Sequence, residues 1–170
     1  MENLSVVFPT PERTVAAVRG VSFAIEAGQI LALVGQSGSG KSVTARALVG
    51  LAGARAKVSA QALSIAGRDG RDLNLLGLSP AAWRTVRGRE IGFILQDALV
   101  SLDPLRTIGR EIAEPILAHE VLPESAVASE VEALLLRAGI NDPHVRAAQY
   151  PHELSGGLRQ RALIASALAA

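Results

Sequence analysis

Ile30–Leu51 reads ILALVGQSGSGKSVTARALVGL. The run Ile30 to Val34 is apolar at every position, the pattern of a parallel strand buried on both faces. Gly35 to Ser42 then fits G-x-x-x-x-G-K-[ST] without a mismatch. Gly35, Gly38 and Gly40 permit backbone conformations that side chains forbid, so that successive N–H groups can point at one anion. From Ser42 a helix is expected with Val43, Ala47 and Leu48 on one face, its positive N-terminal end aimed at the same anion. The fixed residues then have assigned chemistry. Lys41 reaches the β- and γ-phosphates of a nucleoside triphosphate, the Ser42 hydroxyl ligates Mg²⁺, and Gln36, Ser37 and Ser39 complete the loop. The competing reading is a flexible glycine turn that happens to precede a helix; it leaves the strand before the turn unexplained.

The composition bounds the rest. A chain of 170 residues has room for one medium domain, or one domain and an appendage. Its 49% hydrophobic content calls for a partner or a further segment to cover part of its surface. A net charge of +1 argues against a nucleic-acid footprint built on bulk positive charge. With no cysteine there is no disulfide, thiolate metal site or cysteine nucleophile. No apolar run reaches bilayer length, and Met1 to Thr10 does not read as a signal segment, so a cytosolic or membrane-protein-bound chain is expected. Lys41 stands out further because Lys57 is the only other lysine.

Upstream of the loop, Leu4, Val6 and Phe8 alternate in a β pattern broken at Pro9-Thr10-Pro11. A second β stretch, Thr14 to Ile25, is interrupted at Arg19-Gly20. Together they predict an antiparallel β layer ahead of an α/β core. Phe8 lies where it could stack on an adenine, although an aromatic at strand spacing also suits a core. Downstream, Lys57 to Ala66 reads as a strand followed by a turn at Gly67–Gly70. Ser79 caps a helix that Pro80 opens and Gly88 ends. Ile91 to Leu95 reads as a compact strand, with Gln96 at its C-terminal end, where ligands sit in open α/β sheets. Two helices follow. Thr107 to Glu120 carries Ile108, Ile112, Ile116 and Leu117 on one stripe and is kinked or divided at Pro115; Pro123 to Ala138 carries Val127, Val131, Leu134 and Leu135 and closes at Gly139.

Tyr150 to Arg161 reads YPHELSGGLRQR, and the helical stretch Leu158 to Ala169 makes Ser155, Gly156 and Gly157 a second glycine-rich anion site at a helix N-terminus. Two phosphate-grasping elements separated by a helical insert resemble the ATP-binding subunit of an ABC transporter. GQSGSGKS matches the Walker A loop, Gln96 the Q-loop glutamine, LSGGLRQR the signature motif, and Phe8, less securely, the aromatic of the A-loop. SGSGKSVTARALVGL, FILQDALVSLDPLRTIGREIAEPI and YPHELSGGLRQR closely resemble the importers of di- and oligopeptides and nickel. The chain departs from that subgroup at Gln36 for Glu, Ala98 for Pro, Asp103 for Asn and Leu158 for Met or Gln.

The resemblance implies a P-loop NTPase fold of ABC type: an α/β RecA-like core with an N-terminal antiparallel β layer and an inserted helical subdomain. Residues 1–96 would hold the β layer and the Walker A part of the core, 97–153 the helical subdomain, and 154–170 the signature motif and its helix. The implied cofactors are ATP and Mg²⁺, with Gln96 contacting the metal beside Ser42. Ser155, Gly156, Gly157 and Gln160 would act on the ATP of a second ABC subunit. A membrane permease and, indirectly, a solute-binding protein are the further partners, at the cytoplasmic face of a bacterial membrane.

In the family the Walker B strand with its carboxylates, the D-loop and the switch histidine come after the signature helix. None is expected within these 170 residues, and His119, His144 and His152 are read as surface or structural residues. The expectation is therefore a partial core in which Ile30–Val34 and Ile91–Leu95 lack neighbours, and a 170-residue chain inactive by itself. A soluble, non-transport ABC ATPase is the alternative, although the short cysteine-free insert lacks the coiled coil or zinc site of those proteins.

Overall fold

The computed structural model describes residues 1–95 and 101–170, so Gln96 and Ala98 lie outside the described residues. It divides into two compact units, Met1–Trp83 and Arg84–Ala170.

In the first unit the alternation of Leu4, Val6 and Phe8 produces β1 (Leu4–Pro9), which pairs antiparallel with β2 (Thr14–Val21) and with β3 (Lys57–Ser59) to give the order β2-β1-β3. Pro9 faces Thr14 across a turn that the Thr10 hydroxyl closes by donating to the Arg13 carbonyl at 2.6 Å. Leu4 and Val6 are fully buried against Val18 and against Ala47 of α1 (Lys41–Leu48). Each such aliphatic side chain contributes about 1.5–3 kcal/mol, which is why the helix lies on this sheet. Gly20, at φ +61°, sits opposite the register irregularity between Leu4 and Val6, where a Cβ would meet Asn3 Oδ1 at 2.8 Å.

Three strand readings need correction here. The second β stretch stops at Val21 without reaching Ile25; its expected interruption at Arg19-Gly20 is a register irregularity within the strand. The expected strand Lys57–Ala66 is two strands in different sheets, because the chain bends round Glu2, whose carbonyl accepts from the Gln61 N–H at 2.9 Å. β4 (Ser64–Ala66) instead forms a hairpin with β5 (Asp72–Asn74). Ile30–Val34 forms no strand: among the described residues it has no ladder partner, and Ile30 is 98% and Val34 90% exposed. A strand exists only by pairing, and the three-stranded sheet does not extend to this run. The Ser79 cap is present, its Oγ accepting from the Ala82 N–H at 3.2 Å at the start of α2 (Pro80–Val86).

The second unit is helical. Ile91 makes a single bridge to Arg87 and residues 92–95 form no strand, for the same want of a neighbour. The helices are α3 (Ile108–Ala118), α4 (Glu124–Arg137), α5 (Pro143–Ala148) and α6 (Gly156–Ala167). Ile108, Ile112 and Ile116 meet Leu134, Leu135 and Ile140 in a fully buried core, joined by Ala162 and Ala165 of α6. Leu117 is not part of the stripe; it is 48% exposed. Pro115 neither divides α3 nor ends it. Proline deprives the carbonyl four residues back of its N–H donor, and that carbonyl, Glu111, accepts instead from the Ser166 hydroxyl of α6 at 3.4 Å. Gly109 lets α3 approach α5, since a Cβ there would lie 2.9 Å from the Ala147 carbonyl.

Candidate functional site

The loop between the Ile30–Val34 run and α1 is built around the Lys41 ammonium. Nζ donates to the carbonyls of Gly35 at 2.8 Å and Gln36 at 2.7 Å and to Ser39 Oγ at 3.3 Å. Three acceptors within six residues curl the chain around one cation, and the Ser39 N–H closes the turn onto the Gln36 carbonyl at 3.3 Å. Gly40, at φ +91°, is required twice over: its backbone is left-handed, and a Cβ would come 2.4 Å from the Ala17 carbonyl of β2. Gly38, at φ +80°, faces open space. Among the described residues nothing accepts from the N–H groups of Gly38, Gly40, Lys41 or Ser42. Unbonded N–H groups beside an ammonium at the start of an eight-residue helix form a cradle for a polyanion. α1 begins at Lys41, one residue earlier than expected, and Ser37 and Ser42 are exposed at the mouth of the loop.

Phe8 lies on the face of β1 that carries Leu4 and Val6 and is half-buried against their cluster. Its partner across the ladder is Val15, two residues from the Ala17 carbonyl on which Gly40 rests, so the ring belongs to the same end of the sheet as the loop.

In the second unit Ser155 is the N-cap of α6, its Oγ accepting from the Leu158 N–H at 3.4 Å. Ser155, Gly156 and Gly157 are exposed, and a Cβ on either glycine would meet nothing within 4 Å. Leu154, 3% exposed, anchors the motif in the core immediately before this open face, and Gln160 is also exposed. The preceding turn, Pro151–Glu153, is held by the Tyr150 N–H donating to Glu153 Oε2 at 2.6 Å. Two residues not singled out from the sequence brace this region, although both lie in the YPHELSGGLRQR stretch. Arg159 Nε donates to the Leu154 carbonyl at 3.0 Å, and Arg161 donates to the Gly139 carbonyl at 2.7 Å at the end of α4.

His119 packs at Gly88, His144 Nδ1 lies 3.1 Å from Glu132 Oε1 on the surface, and the exposed His152 stacks on Tyr150 with centroids 5.7 Å apart. Among the described residues no cluster of His, Cys, Asp or Glu has the makings of a metal site. No helix among them is long and apolar enough to cross a membrane.

Comparison with known proteins agrees with this geometry. The chain is 46% identical over 171 residues to the dipeptide transport ATP-binding protein DppD of Lactococcus lactis subsp. cremoris, a match covering 100% of this chain and 48% of that protein. It is 41% identical over 170 residues to the oligopeptide transport ATP-binding protein OppD of Bacillus subtilis, covering 100% of this chain and 46% of the relative. The chain thus spans about half the length of the curated relatives it matches. Among solved structures, the dimeric MJ0796, a bacterial ABC transporter cassette, superposes with a TM-score of 0.78 at 25% identity over 99% of this chain and 68% of that one. The fold alone is shared with cbiO1 of Clostridium perfringens, at a TM-score of 0.64 and 21% identity over 99% of this chain and 61% of that one. The profile of the ABC transporter family matches residues 18–170, loop and signature included, and the chain belongs to that family.

Proposed function

We propose that this chain is the nucleotide-gripping part of an ABC importer's ATP-binding subunit, which couples ATP binding and hydrolysis to uptake of peptides or a related small solute such as a nickel complex. The observation that carries the reading is the Lys41 ammonium set among N–H groups that, among the described residues, have no acceptor. Gly35 to Ser42 hold the phosphates, Ser42 and Gln96 hold Mg²⁺, and Phe8 flanks the adenine. Ser155, Gly156 and Gly157, with Gln160 beside them, serve the ATP of a second ABC subunit, so that ATP joins two subunits head to tail and hydrolysis frees them. Bound Mg²⁺ supplies charge neutralisation for the transferred phosphoryl group, and the loop supplies position. Residues 1–96 form the β layer and Walker A portion, 97–153 the helical subdomain and 154–170 the signature segment. The 170-residue chain alone binds ATP at most weakly and hydrolyses none.

The subunit works peripherally at the cytoplasmic face of a bacterial membrane. The permease contact falls on the helical segment, where a groove of about 540 Å³ between α3, α4 and α5 is floored by Ala113, Val127 and Val131 and rimmed by Arg110, Glu132 and His144. An apolar floor with charges of both signs at the rim suits a short amphipathic helix of the permease.

The test is Lys41→Ala in the full-length protein. Charge-assisted contacts to phosphate are among the strong ones, so ATP affinity should fall and turnover should nearly vanish. An ATPase rate within about twofold of the parent would overturn the assignment, since the loss of one such contact, about 1.5–3 kcal/mol, exceeds tenfold.

A further inference from the structure

We infer that Arg159 is a positioning residue for the signature segment: its guanidinium, folded back from the first turn of α6, fixes the peptide that presents Ser155. The inference rests on the reading that Ser155 serves a nucleotide of the opposite subunit. Arg159 Nε donates to the carbonyl of Leu154, the residue immediately before Ser155, at 3.0 Å, and a terminal nitrogen reaches the His152 carbonyl at 3.5 Å. The Leu154 carbonyl and the Ser155 N–H belong to one planar peptide unit, so a bond that holds the first sets the direction of the second and of the Ser155 Cα.

Among the described residues the Leu154 carbonyl accepts from no other group, while the Leu154 N–H donates to the Pro151 carbonyl at 3.2 Å and the Ser155 carbonyl accepts from the Arg159 N–H at 3.0 Å. Gly156 and Gly157 have no side chains, and open space surrounds both. The Ser155 hydroxyl reaches its own helix only at 3.4 Å. The Leu154 side chain anchors the segment in the core, but a side-chain anchor leaves the peptide plane free to tilt. Local preference also speaks against an arginine here. A cation in the first turn of a helix opposes the helix dipole, and α6 has no acidic residue in that turn to offset it. The placement becomes favourable once the guanidinium is bonded to carbonyls at the base of the motif and an anion sits at its open face.

Two substitutions separate positioning from bulk and charge. Arg159→Ala removes the donor. In Arg159→Gln the side-chain amide nitrogen stands where Nε stands in arginine, so the bond to the Leu154 carbonyl is kept while the charge and the His152 contact are lost. Both are made in the full-length protein. ATP-dependent dimerisation is read by sedimentation, nucleotide binding to the monomer by calorimetry, and stability by thermal melting. Arg159→Ala should weaken ATP-dependent dimerisation about tenfold, corresponding to one charge-assisted hydrogen bond of about 1.5 kcal/mol, with monomer nucleotide affinity unchanged; because the bond lies within one chain, the melting temperature should fall as well, and Arg159→Gln should restore it. Arg159→Gln should recover most of the dimerisation.

Parent-like dimerisation in Arg159→Ala overturns the inference. So does a monomer nucleotide affinity that falls in step with dimerisation, or an Arg159→Gln variant no better than Arg159→Ala. Ser155→Arg is the control for the underlying reading. If it too dimerises with ATP like the parent, the head-to-tail arrangement itself fails; if it blocks dimerisation while Arg159→Ala does not, only the role of Arg159 is refuted.

Discussion

Replacing Ser166 by alanine tests how a proline is accommodated in the helix that supports the signature element. Pro115 offers no N–H to the Glu111 carbonyl, and the Ser166 hydroxyl of α6 takes that place at 3.4 Å. A neutral intramolecular hydrogen bond is worth about 0.5–1.5 kcal/mol net. The length of this one and the partial burial of its surroundings put Ser166→Ala at the lower half, about 0.5–1 kcal/mol. With a urea slope of about 2 kcal/mol per molar, the unfolding midpoint should drop by about 0.3–0.5 M. The decisive measurement is the same substitution in a Pro115→Ala background. There the alanine N–H supplies the donor from within α3, and the cost of Ser166→Ala should shrink toward zero, a coupling of about 0.5–1 kcal/mol for two residues on different helices. Urea titrations followed by far-ultraviolet circular dichroism give all four corners of the cycle. Equal costs of Ser166→Ala in both backgrounds would refute the idea that the serine satisfies the carbonyl freed by the proline.

Gly40→Ala should lower ATP affinity about tenfold or more in calorimetry, since it combines left-handed strain of about 1–2 kcal/mol with a Cβ 2.4 Å from the Ala17 carbonyl. Gly38→Ala, strained but facing open space, should cost less, and the reverse order would count against the docking of the loop on β2. Burial raises the Glu111 carboxyl pKa above its ordinary 4.5, with Glu114 and Asp103 adding to the shift and the Asp103 N–H and Arg106 opposing it. The native state therefore holds this proton to higher pH than the unfolded state, and stability falls as pH rises through the raised value. Glu111→Gln should melt higher than the parent at neutral pH and lose that advantage below 4.5, and a pH-independent difference would contradict the linkage. Leu117→Asp, on the exposed wall of the groove between α3, α4 and α5, should abolish solute uptake while leaving ATP binding within about twofold, a change under about 0.5 kcal/mol. Parallel loss of both would move the defect from the permease contact to the fold.

What the sequence disclosed depended on whether the signal was local. The loop from Gly35 to Ser42 was legible because every requirement, glycines for the turn, a lysine and a hydroxyl, falls within eight consecutive residues, and the same holds for the Ser79 cap; the Ser155 cap was not read, because the helix was expected from Leu158. α3 and α4 were legible because their buried faces repeat at helical spacing. Leu117 was misread by overlooking the angle: at 100° per residue it points about 140° away from the mean direction of Ile108, Ile112 and Ile116. The six residues of α5 are too few for periodicity, and their one cue was Pro143 at the first helical position after Asp142.

The strand errors have a different origin, and it is the more instructive one. Apolarity at Ile30–Val34 and Ile91–Leu95 reports what those residues would bury, whereas strand formation depends on a neighbouring chain that no window around them contains. Composition carried the complementary hint: 49% hydrophobic residues in a chain that leaves Ile30 98% and Val34 90% exposed is more apolar surface than the described sheets cover. The Gly35–Ser42 loop keeps its shape because it is anchored elsewhere. α1 is fixed to β1 and β2 through Ala47 and Val18, and Gly40 rests on the Ala17 carbonyl, so the loop proposed to hold phosphate is set by the antiparallel layer even though, among the described residues, the run leading into it has no ladder partner. Substitutions in Ile30–Val34 should therefore leave the docking of the loop on β2 unchanged, whereas those at Ala17, Val18 or Ala47 should disturb it.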